Sequence, residues 1–320
     1  MVKLTEGEGM IDQSNIETTF HVIDEVATFF SEKKQLRYLD GVVKACLILS
    51  KDEEADCDGL GNIIIKMSEI EPKPEELRKA YQLAVLKAFR SEFRSNALVT
   101  PDTIGIFISY LIGKLMPKRQ NMVVFDPLVG SGNLLATVAD NLGKAIKVIG
   151  IDNDQDCAML AGALMKLIGQ DADIRLAETC GVKGIGADVI ITDFPFAKET
   201  DEEYFPYKVL NSHHENLKSD GYVIAVIPND FFDVTEARDY RKTILDKYTA
   251  VGLIKLPDDL FRKLGKSILI LKKKNETPKK KDENFLVASI PSFVNSEEFK
   301  KTLGYINDWF DRHIDKREDE

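Results

Sequence analysis

The stretch VVFDPLVGSGNLLATVA, residues 123–139, decides how the rest of the chain is read. It begins as a short apolar strand that closes on Asp126, followed at once by Pro127. A tight loop with Gly130, Ser131 and Gly132 comes next, and a helix starts near Leu134. Glycines let a ligand approach the backbone, and the first turn of a helix leaves its amides without partners. Strand, loop and helix therefore frame a ligand site, which on these residues alone could take any nucleotide. A phosphate-cradling loop of the Lys-Ser/Thr type is excluded because that ending is absent. An acid closing the strand would repel phosphates, and it suits a ligand that carries an ammonium group.

Outward from this loop, short apolar runs alternate with helical stretches. MVVFD, IKVIGID, DIRLA, ADVIITD, GYVIAVIP, AVGLIKLP and SILILKKK read as strands. Such alternation predicts a parallel sheet covered by helices on both faces. Ligands of open α/β sheets gather at the carboxyl ends of the strands. The second run ends in Asp152, twenty positions after Gly132, where an acid can accept both hydroxyls of a ribose. The third ends in LAETCG, with Glu178 at the strand end and available to an adenine amino group. The fourth delivers Asp193, Phe194, Pro195 and Phe196 where the strand should open into a loop.

The flanking regions differ in character. Residues 1–95 read as a helical domain, with Phe20, Ile23, Val26 and Phe30 in one apolar stripe. A second stripe holds Leu36, Leu39, Val43 and Leu47, and a third, after a proline, Leu77, Tyr81, Val85 and Phe89. Residues 96–275 form the α/β domain, and 276–320 a linker and C-terminal helix. In that last segment KKKNETPKKKDEN reads as a solvated linker. Ser296 is the expected N-cap of the final helix, and Phe299, Leu303, Ile306 and Phe310 are its docking stripe. Lys87, Arg90 and Arg94 read as a solvated helix edge, and His213 and His214 as surface residues of a helix. Tyr204, Phe205 and Tyr207 suit loop packing at least as well as a base pocket.

Composition narrows the function. Of the 320 residues, 44% are hydrophobic and 30% charged, as in a globular protein with a sizeable core. A net charge of −10 argues against strong non-specific binding to nucleic acid, which draws on a basic footprint. No apolar run approaches the ~20 residues of a membrane span, and MVKLTEGEGMIDQSN lacks the apolar core of a signal peptide. The four cysteines, Cys46, Cys57, Cys157 and Cys180, have no metal-ligand spacing and read as reduced thiols of a cytoplasmic protein. No metal is expected.

The segments taken together resemble a known family. FDPLVGSGNLL is similar to the S-adenosylmethionine motif of class I methyltransferases, in the form used by N6-adenine DNA methylases. Upstream, LVTPDTIGIFISYLI resembles the segment in which those enzymes place a Thr-Pro, here Thr100-Pro101, against the methionine end of the cofactor. TDFPF falls where they carry Asn/Asp-Pro-Pro-Tyr/Phe. The order of segments and the helical N-terminal third resemble the modification subunits of type I restriction systems, and most of all a short stand-alone branch in Gram-positive bacteria, the YtxK-like proteins. The resemblance implies a seven-stranded Rossmann-like class I methyltransferase sheet with an N-terminal helical domain, its last strand antiparallel. It implies S-adenosylmethionine as cofactor, held by Thr100, Pro101, Asp126, Pro127, Gly130, Ser131, Gly132, Asp152 and Glu178.

The same resemblance assigns the chemistry. An exocyclic amine such as adenine N6 is a poor nucleophile because its lone pair is delocalised into the ring. Asp193 would accept one N–H with its side chain and Phe194 the other with its carbonyl, and Phe196 would stack on the base, with Pro195 the remaining member of the catalytic motif. Phe194 departs from the family's proline, although a carbonyl role needs no particular side chain. The implied acceptor is the N6 amino group of adenine in DNA, flipped out if it lies in a duplex. A protein glutamine, an RNA base, or a non-catalytic cofactor-binding role through the helical domain are the alternatives. With no recognition domain apparent after the catalytic one, DNA binding by the chain alone is expected to be weak. A partner subunit or a homodimer would then form through the helical N-terminal domain.

Overall fold

A computed structural model of the chain describes residues 11–54, 59–95, 99–117, 120–143, 145–196, 204–233, 237–261, 264–274 and 284–314. Cys57 and residues 275–283 of the lysine-rich linker lie outside these. The helices α1 (Gln13–Lys34), α2 (Tyr38–Leu49), α3 (Leu60–Ile64) and α4 (Pro74–Ser91) come first. Then follow α5 (Asp102–Leu115), β1 (Val123–Asp126), α6 (Asn133–Leu142), β2 (Lys147–Asp152), α7 (Gln155–Leu167) and β3 (Ala172–Leu176). The chain continues through β4 (Ala187–Asp193), α8 (Phe205–Ser212), β5 (Leu217–Pro228), α9 (Ala237–Lys247) and β6 (Tyr248–Lys255). It ends with β7 (Lys266–Lys273), β8 (Leu286–Ser289) and α10 (Ser296–His313).

The sheet has eight strands in the order β3-β2-β1-β4-β5-β7-β6-β8. The pairs β2/β3, β1/β4 and β4/β5 are parallel, whereas β7 runs antiparallel to both β5 and β6. The seventh strand is thus antiparallel, as expected, but the count of seven is corrected to eight. The additional strand β8 pairs parallel with β6. It is only four residues long, at the sheet edge, with Leu286 buried and Val287 exposed, so it offers too little periodicity to be read beside a lysine-rich run.

The chain folds into two compact units, Met1–Ser109 with Val129–Ala177, and Tyr110–Leu128 with Glu178–Glu320. In the first, α1 starts at Asp12, whose side chain accepts the Ser14 amide, and buries Ile16, Val22, Ile23, Val26, Ala27 and Phe30. On α2 the buried face is Leu39, Val42, Ala45 and Cys46, with Val43 and Leu47 only half-buried and Leu36 outside the helix. That face is rotated from the expected one because α1 passes so close. A Cβ on Gly41 would sit 2.7 Å from the Ala27 backbone. Proline opens α4, and Glu76 reaches back to the Lys73 amide at 2.9 Å and across to the Asp12 amide at 2.7 Å, tying the starts of two helices together. Tyr81, Val85 and Phe89 of α4 are buried. Lys87 pairs with Asp24, and Arg94 with Asp154 and Asp156, while Arg90 is exposed.

In the second unit α10 docks through Ile306, Trp309 and Phe310, and Tyr110 Oη donates to Asn307 Oδ1 at 2.9 Å. Its N-cap is Asn295, which accepts the Glu298 amide, so the expected Ser296 is corrected by one position. Tyr204 and Tyr207 pack edge-to-face, and Tyr207 stacks on Tyr240 with ring centroids 3.6 Å apart. These tyrosines are buried packing residues of that unit, and Phe205 is half-buried.

His213 is corrected more fully: it is 2% exposed. Asn216 Nδ2 donates to its Nδ1 at 2.8 Å, which leaves Nε2–H to donate to Thr179 Oγ1 at 2.8 Å, and the ring meets Phe125 edge-on. The ring is therefore held neutral. Burial, helped by Lys183, lowers its pKa from 6.5 to about 4. The unfolded chain takes up this proton near pH 6.5 while the fold resists it, so the contribution to stability is complete above pH 6.5 and is lost as pH falls towards 4. Chemical denaturation across this window should show a loss of up to about 3 kcal/mol. His213→Gln should flatten that slope. His214 is half-buried, at the start of a one-turn 3-10 helix, so neither histidine lies on an open helix surface.

No helix among the described residues is long and apolar enough to cross a membrane, and none of their side chains form a cluster of three or more potential metal ligands. Cys46 and Cys157 are buried free thiols, and burial pushes both up to about 12, which makes them inert.

Candidate active site

The glycine loop of the first unit is held by its own backbone. Val129 N donates to Ile151 O at 2.8 Å, fixing the loop to the end of β2. Gly130 and Gly132 have φ of +54° and +86°, a region that L side chains rarely adopt. Gly132 is also the N-cap of α6, and a Cβ there would lie 2.9 Å from Ala161 Cα on α7. Gly132→Ala should therefore destabilise the fold by about 1–3 kcal/mol through strain and overpacking. A thermal melt equal to that of the unsubstituted chain would refute this role.

Asp152 closes β2 beside that loop. Its Oδ2 accepts the Gly130 amide and its Oδ1 the Asp154 amide, both at 2.9 Å. Burial raises its pKa, against the lowering effect of the Asp154, Gly130 and Asn153 amides. Three backbone amides, those of Gly130, Asn153 and Asp154, do not fill the about four lone-pair sites of a carboxylate, so Asp152 retains acceptor capacity for a ribose. In the second unit Asp126 closes β1, 1% exposed, and its Oδ1 accepts the Leu128 amide at 3.0 Å. Pro127 after it is buried. Glu178 is an exposed residue two positions past the end of β3, at the N-cap of a 3-10 turn, so it does not close its strand as the other acids do.

Behind the glycine loop stands a polar network that sequence reasoning missed. Asn133, the first residue of α6, donates to the Thr100 carbonyl at 2.6 Å and to Asp102 Oδ1 at 3.1 Å. Arg78 of α4, 1% exposed, donates to Asp102 at 2.5 Å and to Asn133 Oδ1 at 3.3 Å. Gln82 donates to both as well, and Tyr81 Oη donates to the Ser131 carbonyl at 2.9 Å. Burial would raise Asp102, but the Arg78 guanidinium with these amides outweighs it and holds the carboxyl below its usual range. Helix α4 thus braces Ser131 and the residues around Thr100-Pro101. The Pro101 carbonyl takes the first helical bonds of α5, from Ile104 at 3.0 Å and Gly105 at 3.4 Å. The lone signal in the sequence was a buried-face register that places arginine among apolar residues of α4.

The acid-aromatic motif is organised in the second unit. Asp193 is the last residue of β4, in register with Val226 of β5, and the Phe194 amide continues the ladder to Val226 O at 2.9 Å. Phe194 is fully buried, so its side chain anchors the turn, while Pro195 and Phe196 are exposed. Lys266, 4% exposed and unsuspected from sequence, reaches this turn. Its Nζ donates to Asp193 Oδ1 at 2.5 Å and to the Phe194 carbonyl at 2.8 Å, and lies 5.0 Å from the centre of the Phe196 ring. It arrives there because β7 is antiparallel. Its first residue, Lys266, pairs with Pro228 at the carboxyl end of β5, the end at which the parallel strand β4 also finishes.

A mainly parallel sheet with a glycine loop after its first strand and acids closing β1, β2 and β4 defines the class I methyltransferase fold. The chain belongs to the N-6 DNA Methylase family, which it matches over residues 79–318. Residues 17–89 match the YtxK N-terminal helical domain. The uncharacterized protein YtxK of Bacillus subtilis is 27% identical over 94% of this chain and 99% of its own length. The crystal structure of a putative class I S-adenosylmethionine-dependent methyltransferase from Listeria monocytogenes is similar with a TM-score of 0.81, at 26% identity, over 93% of this chain and 100% of that one. The methyltransferase subunit of a type I restriction-modification system from Streptococcus thermophilus shares the fold, with a TM-score of 0.60 at 16% identity over 92% of this chain and 74% of that one. S-adenosylmethionine is accordingly the cofactor, and the positive-φ glycines with the strand-end carboxylate of Asp152 fit it.

Proposed function

We propose that the chain transfers a methyl group from S-adenosylmethionine to the N6 amino group of adenine in DNA. One observation carries this reading: the Asp193 carboxylate and the Phe194 carbonyl converge on a single nitrogen, with an aromatic face beside it. That is the acceptor pair an exocyclic amine needs, and it forms although Phe194 stands where the family's motif has proline. Two acceptors on its N–H groups draw the amine towards tetrahedral geometry and free its lone pair. Phe196, exposed at the motif, supplies the stacking surface. The carboxylate would then stabilise the positive charge that develops on the nitrogen as its bond to the methyl carbon forms and the carbon–sulfur bond breaks to leave S-adenosylhomocysteine, before the methylated amine releases a proton.

S-adenosylmethionine supplies a methyl already activated on a sulfonium, so the protein's share is positioning and electrostatics. In this reading Asp152 accepts the ribose hydroxyls and Gly130, Ser131 and Gly132 line the cofactor. Asp126 with Pro127 faces its ammonium end, Thr100-Pro101 its methionine end, and Glu178 its adenine amino group. The membership of the N-6 DNA Methylase family supports adenine over other planar amines.

The test uses radiolabelled S-adenosylmethionine with adenine-unmethylated genomic DNA, total RNA and cell extract offered separately. Label recovered as N6-methyladenine in DNA is the expected result. Label in RNA or on protein glutamine would replace the substrate assignment, and cofactor binding without transfer to any of the three would favour a non-catalytic role.

A further inference from the structure

The nitrogen that the two acceptors hold is the chain's own. We infer that Lys266 is the resident occupant of the amine subsite, so that a methyl acceptor enters only by displacing the Lys266 ammonium. The inference rests on the functional reading above, which places the acceptor amine on Asp193 and Phe194.

The contacts that Lys266 makes are those an adenine amino group would need. Asp193 Oδ1 takes one N–H, the Phe194 carbonyl takes a second, and the Phe196 ring lies beside the nitrogen. An ammonium and an aryl amine differ in charge but share this donor pattern, and an aromatic face suits either, through cation–π attraction or stacking. The two compete for the same positions on Asp193 Oδ1 and the Phe194 carbonyl, which the ammonium already holds at 2.5 and 2.8 Å.

The burial of the pair gives the exclusion its strength. The side chains of Lys266 and Asp193 are 5% and 10% exposed. A buried ammonium persists only with a paired carboxylate, and the partner of a buried pair loses heavily when left alone. This also gives a physical reason for Asp at position 193: a neutral acceptor would serve a neutral amine, whereas a permanent resident cation calls for a carboxylate. Displacement by a neutral base must then find the lysine a new polar environment. Lys266 therefore sets both the affinity for the acceptor and its class, admitting groups with two N–H donors and rejecting hydroxyls and thiols, which cannot replace both bonds.

The test is a calorimetric titration of the full chain and of Lys266→Met, each first saturated with S-adenosylhomocysteine so that adenine probes do not enter the cofactor site. Methionine keeps most of the apolar stem and removes the ammonium. The probes are methylammonium and 9-methyladenine. The variant should bind methylammonium at least tenfold more tightly than the unsubstituted chain does, and the gain should vanish in Lys266→Met with Asp193→Asn. If 9-methyladenine shows the same gain, both the inference and the adenine reading stand. If methylammonium alone gains, Lys266 is the occupant but the adenine reading fails. If neither gains while S-adenosylhomocysteine affinity is unchanged, the inference is overturned. A measurement on the unsubstituted chain holds even if the variant misfolds. Acetylation of Lys266 by acetic anhydride, followed by mass spectrometry, should be much slower than that of the exposed Lys255 and should accelerate with single-stranded oligodeoxyadenylate bound. Equal rates for the two lysines would overturn the inference.

Discussion

Asp193→Asn should abolish methyl transfer while leaving the affinity for S-adenosylhomocysteine nearly intact. Asparagine keeps the shape and one acceptor oxygen but removes the charge. Two losses combine. The amine loses a charge-assisted acceptor at the moment its nitrogen becomes positive, worth at least a hundredfold in rate, or about 3 kcal/mol. The Lys266 ammonium also loses the carboxylate 2.5 Å away, and breaking one side of a buried pair lowers stability by about 3–5 kcal/mol. The melting temperature should therefore fall along with the activity. Adding Lys266→Met should restore the melting temperature without restoring transfer, which separates the structural from the catalytic contribution. Turnover of the single substitution at the unsubstituted rate, on whichever acceptor the transfer assay identifies, would remove Asp193 from the mechanism.

Asp152→Ala should weaken S-adenosylhomocysteine binding by about 2–4 kcal/mol, through the loss of two charge-assisted hydrogen bonds to the ribose. The structure adds a second route to the same loss. The Asp152 carboxylate also accepts the Gly130 and Asp154 amides. Its removal leaves those donors without their acceptor and loosens the glycine loop that it steadies. Asp152→Asn tests which route dominates, since an amide oxygen can still accept one backbone donor but offers the ribose less. Isothermal titration of the three proteins should rank them Asp152, then Asn, then Ala. Equal affinities would place the ribose elsewhere.

Much of the candidate site was legible because it is local. The strand-loop-helix at residues 123–139, the acids at 126, 152 and 193, and the Thr-Pro at 100–101 each sit within a few residues of the element boundary that gives them meaning. Strand ends and glycine turns follow from periodicity and from which residues tolerate positive φ, and both are written in adjacent positions. The same local reading misplaced His213 and the buried face of α2. Burial of a polar ring, or rotation of a helix face by a close neighbour, depends on partners far along the chain.

The sequence by itself determined the fold class, the glycine loop, the strand-end carboxylates and the acid-aromatic motif, because each is a short-range pattern of polarity, turn chemistry and spacing. Only the tertiary structure decided what meets them. Lys266 lies 73 positions from Asp193 and reaches it through an antiparallel strand whose register no periodicity encodes. Arg78 joins Asn133 across 55 positions, and Tyr81 joins Ser131 across 50, because a helix of the N-terminal third packs behind the glycine loop. Strand pairing and helix docking are chosen by the burial of whole faces, and that choice fixes which polar side chains share a site.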